Sequence, residues 1–314
     1  MMNASRTRHP LRQVLALILL LLALAAIWIA SHALADDARA AVGVRHSLAG
    51  NPAITYYDQE PASKSTATET VVLVASLGRP VSDFNELRRA LAQAGYRSIA
   101  VESRGIMSWS GGGFAHYSLR DLAGDVHAAI ADAAIPDTQR VHLIGHAFGN
   151  RVARTFATLY PKQTAGLVLI AAGDKTDNMP ADVARSLRLS TLGFIPWAIR
   201  GSAVSKVFFA AGDAVPDHWQ RGWSTWGAIG QVRAAKASDN ASFNAGGVGP
   251  MLVLQAEDDV VAPPKDAGEL LKATYGARVT LVPVPHAGHA LLPEQGDLIA
   301  QAVLSFIHAH PAVN

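Results

Sequence analysis

The stretch Val141-His142-Leu143-Ile144-Gly145-His146-Ala147-Phe148-Gly149-Asn150 has the form of a nucleophile turn that lacks its nucleophile. An apolar run enters Gly145-His146-Ala147-Phe148-Gly149, and a helix-compatible segment, Arg151 to Ala157, follows directly. In a G-x-S-x-G turn the two glycines let a strand bend sharply into a helix, which raises the middle side chain into the site in a strained conformation. A Ser, Cys or Asp at that point attacks the substrate. Ala147 has no atom that can do so. The chain contains no cysteine, which also excludes a thiol nucleophile, a disulfide framework and cysteine-ligated zinc.

The elements that would position such a turn are legible on both sides of it. Val42 to Ser47 and Ala53 to Asp58 read as strands around Ala49-Gly50-Asn51-Pro52. Glu60 to Thr70 is polar and reads as a solvated insertion, and Val71 to Ala75 is a short apolar run suited to a strand covered on both faces. Strand, loop and helix then alternate. Asp83 with Glu86 suggests a capping box, and Gly95 a helix stop. Tyr96 to Val101, Arg140 to Ile144, Gly166 to Ala171, Met251 to Gln255 and Arg278 to Val284 are predicted strands. Leu119 to Ala134, Ala147 to Leu159, Lys265 to Thr274 and Gln295 to His308 are predicted helices. This alternation predicts an α/β fold, a mostly parallel central sheet with helices on both faces.

The rhythm breaks between Ala171 and Pro250. That segment holds Pro180, Pro196 and Pro216 and four of the six tryptophans, Trp197, Trp219, Trp223 and Trp226. It reads as a helical cap inserted at about 174–249. An insertion between two strands lies at their carboxyl ends, where open α/β sheets bind ligands, so the four tryptophans and His146 are candidate substrate contacts.

The N-terminus speaks to compartment. Arg6, Arg8 and Arg12 precede an apolar run from Val14 to Ala30, and Ser31-His32-Ala33-Leu34-Ala35-Asp36 follows. This reads as a signal peptide, 1–35, cleaved after Ala35, with an uncleaved anchor over 14–30 as the alternative. Either reading exports residues 36–314, to the periplasm or beyond. Without residues 1–35 the chain has one more acidic than basic residue, and it holds no basic tract suited to nucleic acid. A membrane is a partner only if the segment stays.

Several pieces together resemble the α/β-hydrolase superfamily over nearly all of residues 42 to 310. Beside the elbow they are Ala75-Ser76-Leu77-Gly78-Arg79, Glu102-Ser103-Arg104-Gly105, Tyr117 to Leu122, Leu252 to Pro263 and Val284 to Pro293, in the superfamily's order. The resemblance implies an oxyanion hole from the backbone N–H groups of Leu77 and Phe148. It implies His289 as general base and Asp259 as the acid that orients it, with His286 and Asp258 as neighbouring competitors. The departures are Ala75-Ser76 in place of His-Gly, and Ala147. Ser76, Ser103, Ser108 and Ser110 fall near the site, yet none is on the elbow.

The expected activity is hydrolysis of an apolar or acyl ester, or a related carbonyl compound, by water that His289 and Asp259 activate. The alternatives are a retired hydrolase scaffold that binds an apolar ligand, or a serine esterase carrying an engineered Ser-to-Ala change. No cofactor and no metal are implied. Gly111-Gly112-Gly113 lacks the strand-to-helix context of a phosphate loop, and no His or carboxylate cluster has zinc spacing.

Overall fold

The computed structural model describes residues 10–50, 52–63, 69–112, 115–173 and 179–312. Among these, eight strands form one sheet: β1 (Val44–Leu48), β2 (Ile54–Gln59), β3 (Thr70–Val74), β4 (Arg97–Glu102), β5 (Val141–His146), β6 (Thr164–Ile170), β7 (Met251–Ala256) and β8 (Val279–Val284). Their spatial order is β1-β2-β4-β3-β5-β6-β7-β8. β2 runs antiparallel to β1 and β4, and the pairings from β4 through β8 are parallel. The strands expected from the pattern are all present, with ends moved by one or two residues. Residues 64–68 of the Glu60–Thr70 insertion lie outside the described residues, and Thr70 itself opens β3.

The period-2 alternation of β3 assigns its side chains to two cores. Val72 and Val74 pack with Leu122 and Val126 of α3 (Leu119–Asp132) and Val152 and Phe156 of α4 (Phe148–Leu159). Val71 and Leu73 face Leu87 and Leu91 of α2 (Asn85–Gln93) and Ile299 and Val303 of α11 (Gly296–Ala309). All five β3 residues are buried, which explains why this strand reads as an apolar run rather than an alternating one.

Between β6 and β7 lie α5 (Ala181–Ser190), α6 (Trp197–Phe208), α7 (Asp217–Gln220), α8 (Thr225–Lys236) and α9 (Asn240–Phe243), and α10 (Gly268–Tyr275) precedes β8. The first residues of the expected insertion, 174–178, lie outside the described residues. This cap has its own core, in which Val204, Val207, Phe208, Trp219 and Trp223 are almost fully buried.

Arg79 fastens the cap to the sheet. Its guanidinium is fully buried and pairs bidentately with Asp83, at 2.8 and 2.7 Å. It also donates to the carbonyls of Arg221 (2.7 Å), Gly222 (3.1 Å) and His218 (2.8 Å), all in the cap. Its plane lies 4.4 Å from the ring centre of Trp219 and 4.7 Å from that of Trp223. All five donors are used, which a compact ammonium could not match.

This arrangement corrects one expectation. Asp83 and Glu86 form no capping box: α2 begins at Asn85, and its N-cap Phe84 makes no side-chain cap. The carboxylates are drawn away by arginines, Asp83 to Arg79 and Glu86 to Arg39. A true capping box forms where Ser118 and Asp121 exchange hydrogen bonds at the start of α3.

α1 (Pro10–His32) stands apart from the globular body, with its apolar side chains exposed. The residues just after it, Ala33 and Ala35, are completely buried.

Replacing Arg79 with Ala leaves Asp83 buried without its cation, and such broken pairs cost about 3–5 kcal/mol. Arg79→Lys recovers only part of this. Denaturant unfolding followed by tryptophan fluorescence measures both, since Trp219 and Trp223 flank the guanidinium.

Candidate active site

β5 ends in His146 and α4 begins at Phe148, so a single residue turns the chain between them. Ala147 sits there with φ 47° and ψ −108°, a region costly for any residue with a Cβ. Two close approaches hold the turn. A Cβ on Gly149 would lie 2.1 Å from the Val74 carbonyl oxygen, and one on Gly145 would lie 2.5 Å from the carbonyl carbon of Gly149. The Ala147 N–H donates to the Ile170 carbonyl at 2.9 Å. The strained turn is thus retained with a methyl group at its apex.

Ala147 faces a cavity of about 400 Å³. Ser76, Leu77, Phe148 and His289 line it from the sheet side. Leu187, Phe208, Val232, Ala235 and Lys236 line it from the cap. Leu77 lies in the loop after β3, and Phe148 opens α4. Among the described residues neither backbone N–H has an intramolecular acceptor, and that of Phe148 is one of the orphan donors of a helix N-terminus. Ser76 is 1% exposed, and its Oγ has no hydrogen-bond partner.

His289 reaches the cavity from the loop after β8. Its Nδ1 lies 2.8 Å from Oδ2 of Asp259, which is buried at the end of β7. The other oxygen of Asp259 accepts the N–H groups of Val261 (2.8 Å) and Ala262 (2.7 Å). The carboxylate is therefore fixed, and it orients the imidazole with the Nδ1–H toward it, which leaves Nε2 as the free basic nitrogen. Asp258 and His286 are exposed, and each points away from this pair's buried position.

The histidine loop is clamped by the cap. A Cβ on Gly288 would lie 2.6 Å from the carbonyl carbon of Phe209, and the Ala290 N–H donates to the Phe208 carbonyl at 2.7 Å. Glu294 accepts the N–H groups of Ala210 (2.7 Å) and Gly288 (3.0 Å), and its burial pushes its carboxyl up to about 7.

Other expected contacts fall elsewhere. His146 is completely buried behind the elbow and donates from Nε2 to the His289 carbonyl at 2.9 Å. Burial lowers its pKa to about 4, so it is a neutral strut for the histidine loop rather than a surface for substrate. Trp219 and Trp223 are 0% and 1% exposed in the cap core around Arg79 and Phe208. Trp197 lies against Arg200, and Trp226 lines a separate groove at the foot of α1. The cavity wall is made instead mostly by aliphatic residues and Phe208, with Arg151 and Lys236 as its cationic members. Ser76 is the one serine of the four that borders it; the hydroxyl of Ser110 is taken up by Met107.

Sheet order, elbow and the placement of His289 and Asp259 define an α/β-hydrolase. More narrowly, the chain belongs to the serine aminopeptidase family, S33, which matches residues 65–296. It is 30% identical over 250 residues to "Putative carbamate hydrolase RutD" of Variovorax paradoxus, spanning 76% of this chain and 91% of that protein. Among solved structures it is similar to carboxylesterase CesB of Bacillus subtilis, with a TM-score of 0.66 and 18% identity, over 85% of this chain and 92% of the other. It is also similar to a membrane phospholipase A, with a TM-score of 0.67 and 19% identity, over 96% and 99% of the two chains. At these identities the structural likeness concerns the fold.

Two outcomes test the electrostatics and strain of the site. Ala147→Gly relieves a side chain at positive φ and stabilises the protein by about 1 kcal/mol in denaturant unfolding. Glu102, at the end of β4, is buried, and desolvation pushes its carboxyl from 4.5 up to about 8. A carboxyl raised in the folded state binds its proton more tightly there than when unfolded. Its contribution is therefore intact below pH 4.5 and declines as the pH rises toward about 8. Glu102→Gln removes that decline, whose limiting slope is about 1.4 kcal/mol per pH unit, and melting curves across this range detect it.

Proposed function

We propose that this protein is an exported hydrolase of a modest-sized apolar ester or related carbonyl compound, and that water held above Ala147 replaces the serine hydroxyl. The observation that carries the reading is the 2.8 Å His289–Asp259 pair facing the cavity across from Ala147 and two unengaged N–H groups. His289 Nε2 takes a proton from the water, and the water oxygen attacks the carbonyl carbon. The oxyanion that forms is held by the N–H groups of Leu77 and Phe148. His289 then returns the proton to the departing oxygen or nitrogen. Replacing a methylated apex by serine would leave less room for that water. Ser76, whose Oγ is unpaired at the cavity edge, is suited to hold the water or to add a third donor to the oxyanion.

A cavity this size fits a small ligand, and its mostly apolar wall favours an acyl group, with Arg151 and Lys236 able to meet a polar or anionic end. The family and the carbamate-hydrolase relative support cleavage of a carbonyl–heteroatom bond. Oxyanion donors and substrate binding alone retain about 10³ to 10⁴-fold acceleration over water when a triad member is missing, and a base that activates water adds to this. Export is supported by the basic flank and apolar segment of residues 6–30.

Ala147 itself favours a second reading, a retired scaffold that captures an apolar ligand without turning it over. Rates on a short-chain activated ester separate the two. Under the first reading the unaltered protein turns over, and His289→Ala lowers the rate by about 10² to 10⁴-fold. Under the second, only Ala147→Ser turns over, and the unaltered protein binds ligand without consuming it. Turnover unaffected by His289→Ala would remove the water-activation reading.

A further inference from the structure

We propose that α1 is retained as a membrane anchor whose foot is built into the cap, so that the face of the cap carrying α6 and the start of α8 rests on a lipid bilayer. The proposal is independent of the water-activation reading, because it involves neither His289 nor Asp259.

The Ala33-Leu34-Ala35 step, which reads as a cleavage signal, is part of the folded core. Ala33 and Ala35 have no exposed surface. The Ala33 carbonyl accepts the Thr225 N–H at 2.8 Å, and the Ser224 hydroxyl lies 3.4 Å away. The Ala35 N–H donates to the Ile106 carbonyl at 2.8 Å, and Ala35 packs with Ile106 and Met107. Asp36 and Asp37 continue the seam by accepting the N–H groups of Ser108 (2.8 Å) and Gly222 (3.0 Å). Cutting after Ala35 would strip the Thr225 N–H, at the start of α8, of its acceptor and place a new charged amine inside this seam.

Above the foot, Leu11–His32 is long and apolar enough to cross a bilayer, at 22 residues and about 33 Å. Its side chains are exposed, so nothing among the described residues covers them. Trp28 lies near its lower end, where an indole suits the interface, and donates to the Phe194 carbonyl at 2.7 Å. Phe194 leads into α6, whose Ile199 is 63% exposed. An apolar groove of about 620 Å³ between α1 and the loop after β4, bordered by Ile29, Leu34, Met107 and Trp226, opens beside the same foot. Acyl chains are the occupants that match its walls. Arg6 and Arg8 before the span, with Arg12 in its first turn, place the globular body on the far side of the membrane from the cytoplasm.

The anchor also reaches the cavity. α8 starts on the Ala33 carbonyl, and seven residues on, about 10 Å along the helix, Val232 lines the cavity. Gln231 of the same helix accepts the N–H of Gly78, next to Leu77. A bilayer at the foot of α1 thus lies one short helix from the site, close enough for an acyl compound to pass from lipid to cavity.

The absence of native cysteine makes the test direct. The full chain with a C-terminal tag is expressed, membranes are washed with alkaline carbonate, and the intact mass is taken. Residues 1–35 should remain, and the protein should stay with the membrane. A soluble chain beginning at Asp36 overturns the proposal. Orientation is read from Ile199→Cys and Thr138→Cys, labelled with an environment-sensitive fluorophore in phosphatidylcholine–phosphatidylglycerol vesicles containing nitroxide lipids. Quenching should be about twofold or greater at Ile199 and negligible at Thr138, which is exposed before β5. Equal quenching at both sites, or none at Ile199, overturns the seating of the cap.

Discussion

The approach of α4 to the sheet at Gly145 and Gly149 is the constraint on which the site depends. With any larger residue at Gly149 the helix could not come within reach of the Val74 carbonyl, and β5 would have to part from β3. Because the helix does come that close, Ala147 is thrown forward at positive φ and Phe148 lines the cavity with its N–H unengaged. The β3 loop, which carries Leu77, is brought alongside by the same contact. The two unengaged N–H groups and the apex beside them are consequences of backbone packing. Neither needs a particular side chain at position 147, which is why the turn persists with a methyl group.

A second constraint sets where the cap lies. Arg79 lies two residues after Leu77 in the same loop, and its five donors are divided between Asp83 on the sheet side and three cap carbonyls. Burying a guanidinium is costly unless every donor is met and its faces are covered. Trp219 and Trp223 cover them. The loop that offers Leu77 to the cavity is therefore rigidly joined to the cap that closes it, and the histidine loop is joined to the same cap through Gly288, Ala290 and Glu294. Loop, histidine and cap form one unit.

This explains which parts were legible in the sequence. The strands were readable because burial on both faces demands apolar runs, and the elbow because only glycine tolerates the close approaches at 145 and 149. The motif around Asp259 and His289 placed both residues near one another, and the buried position of Asp259 separates it from its neighbour Asp258. The roles of the tryptophans were not readable. An aromatic in a cap suits a ligand pocket or a small core equally well, and the deciding partner, Arg79, lies some 140 positions away in the chain. Position on the elbow also misplaces His146, because the alternation of β5 turns its ring behind the turn. The Asp83–Glu86 spacing fits a capping box, yet two arginines compete for those carboxylates, and local spacing carries no sign of them.

The missing hydroxyl therefore separates architecture from chemistry. Holding Ala147 at φ 47° costs of order 1–3 kcal/mol, with no nucleophile in return. Glycine at that position would remove the cost. Alanine instead keeps the apex filled, and the space above it is bounded by Ser76, the two N–H donors and His289. A serine oxygen at the apex would occupy part of that space. Without it, that space stays open beside His289 and the two N–H groups, in a cavity whose other walls are mostly apolar and include the cationic Arg151 and Lys236.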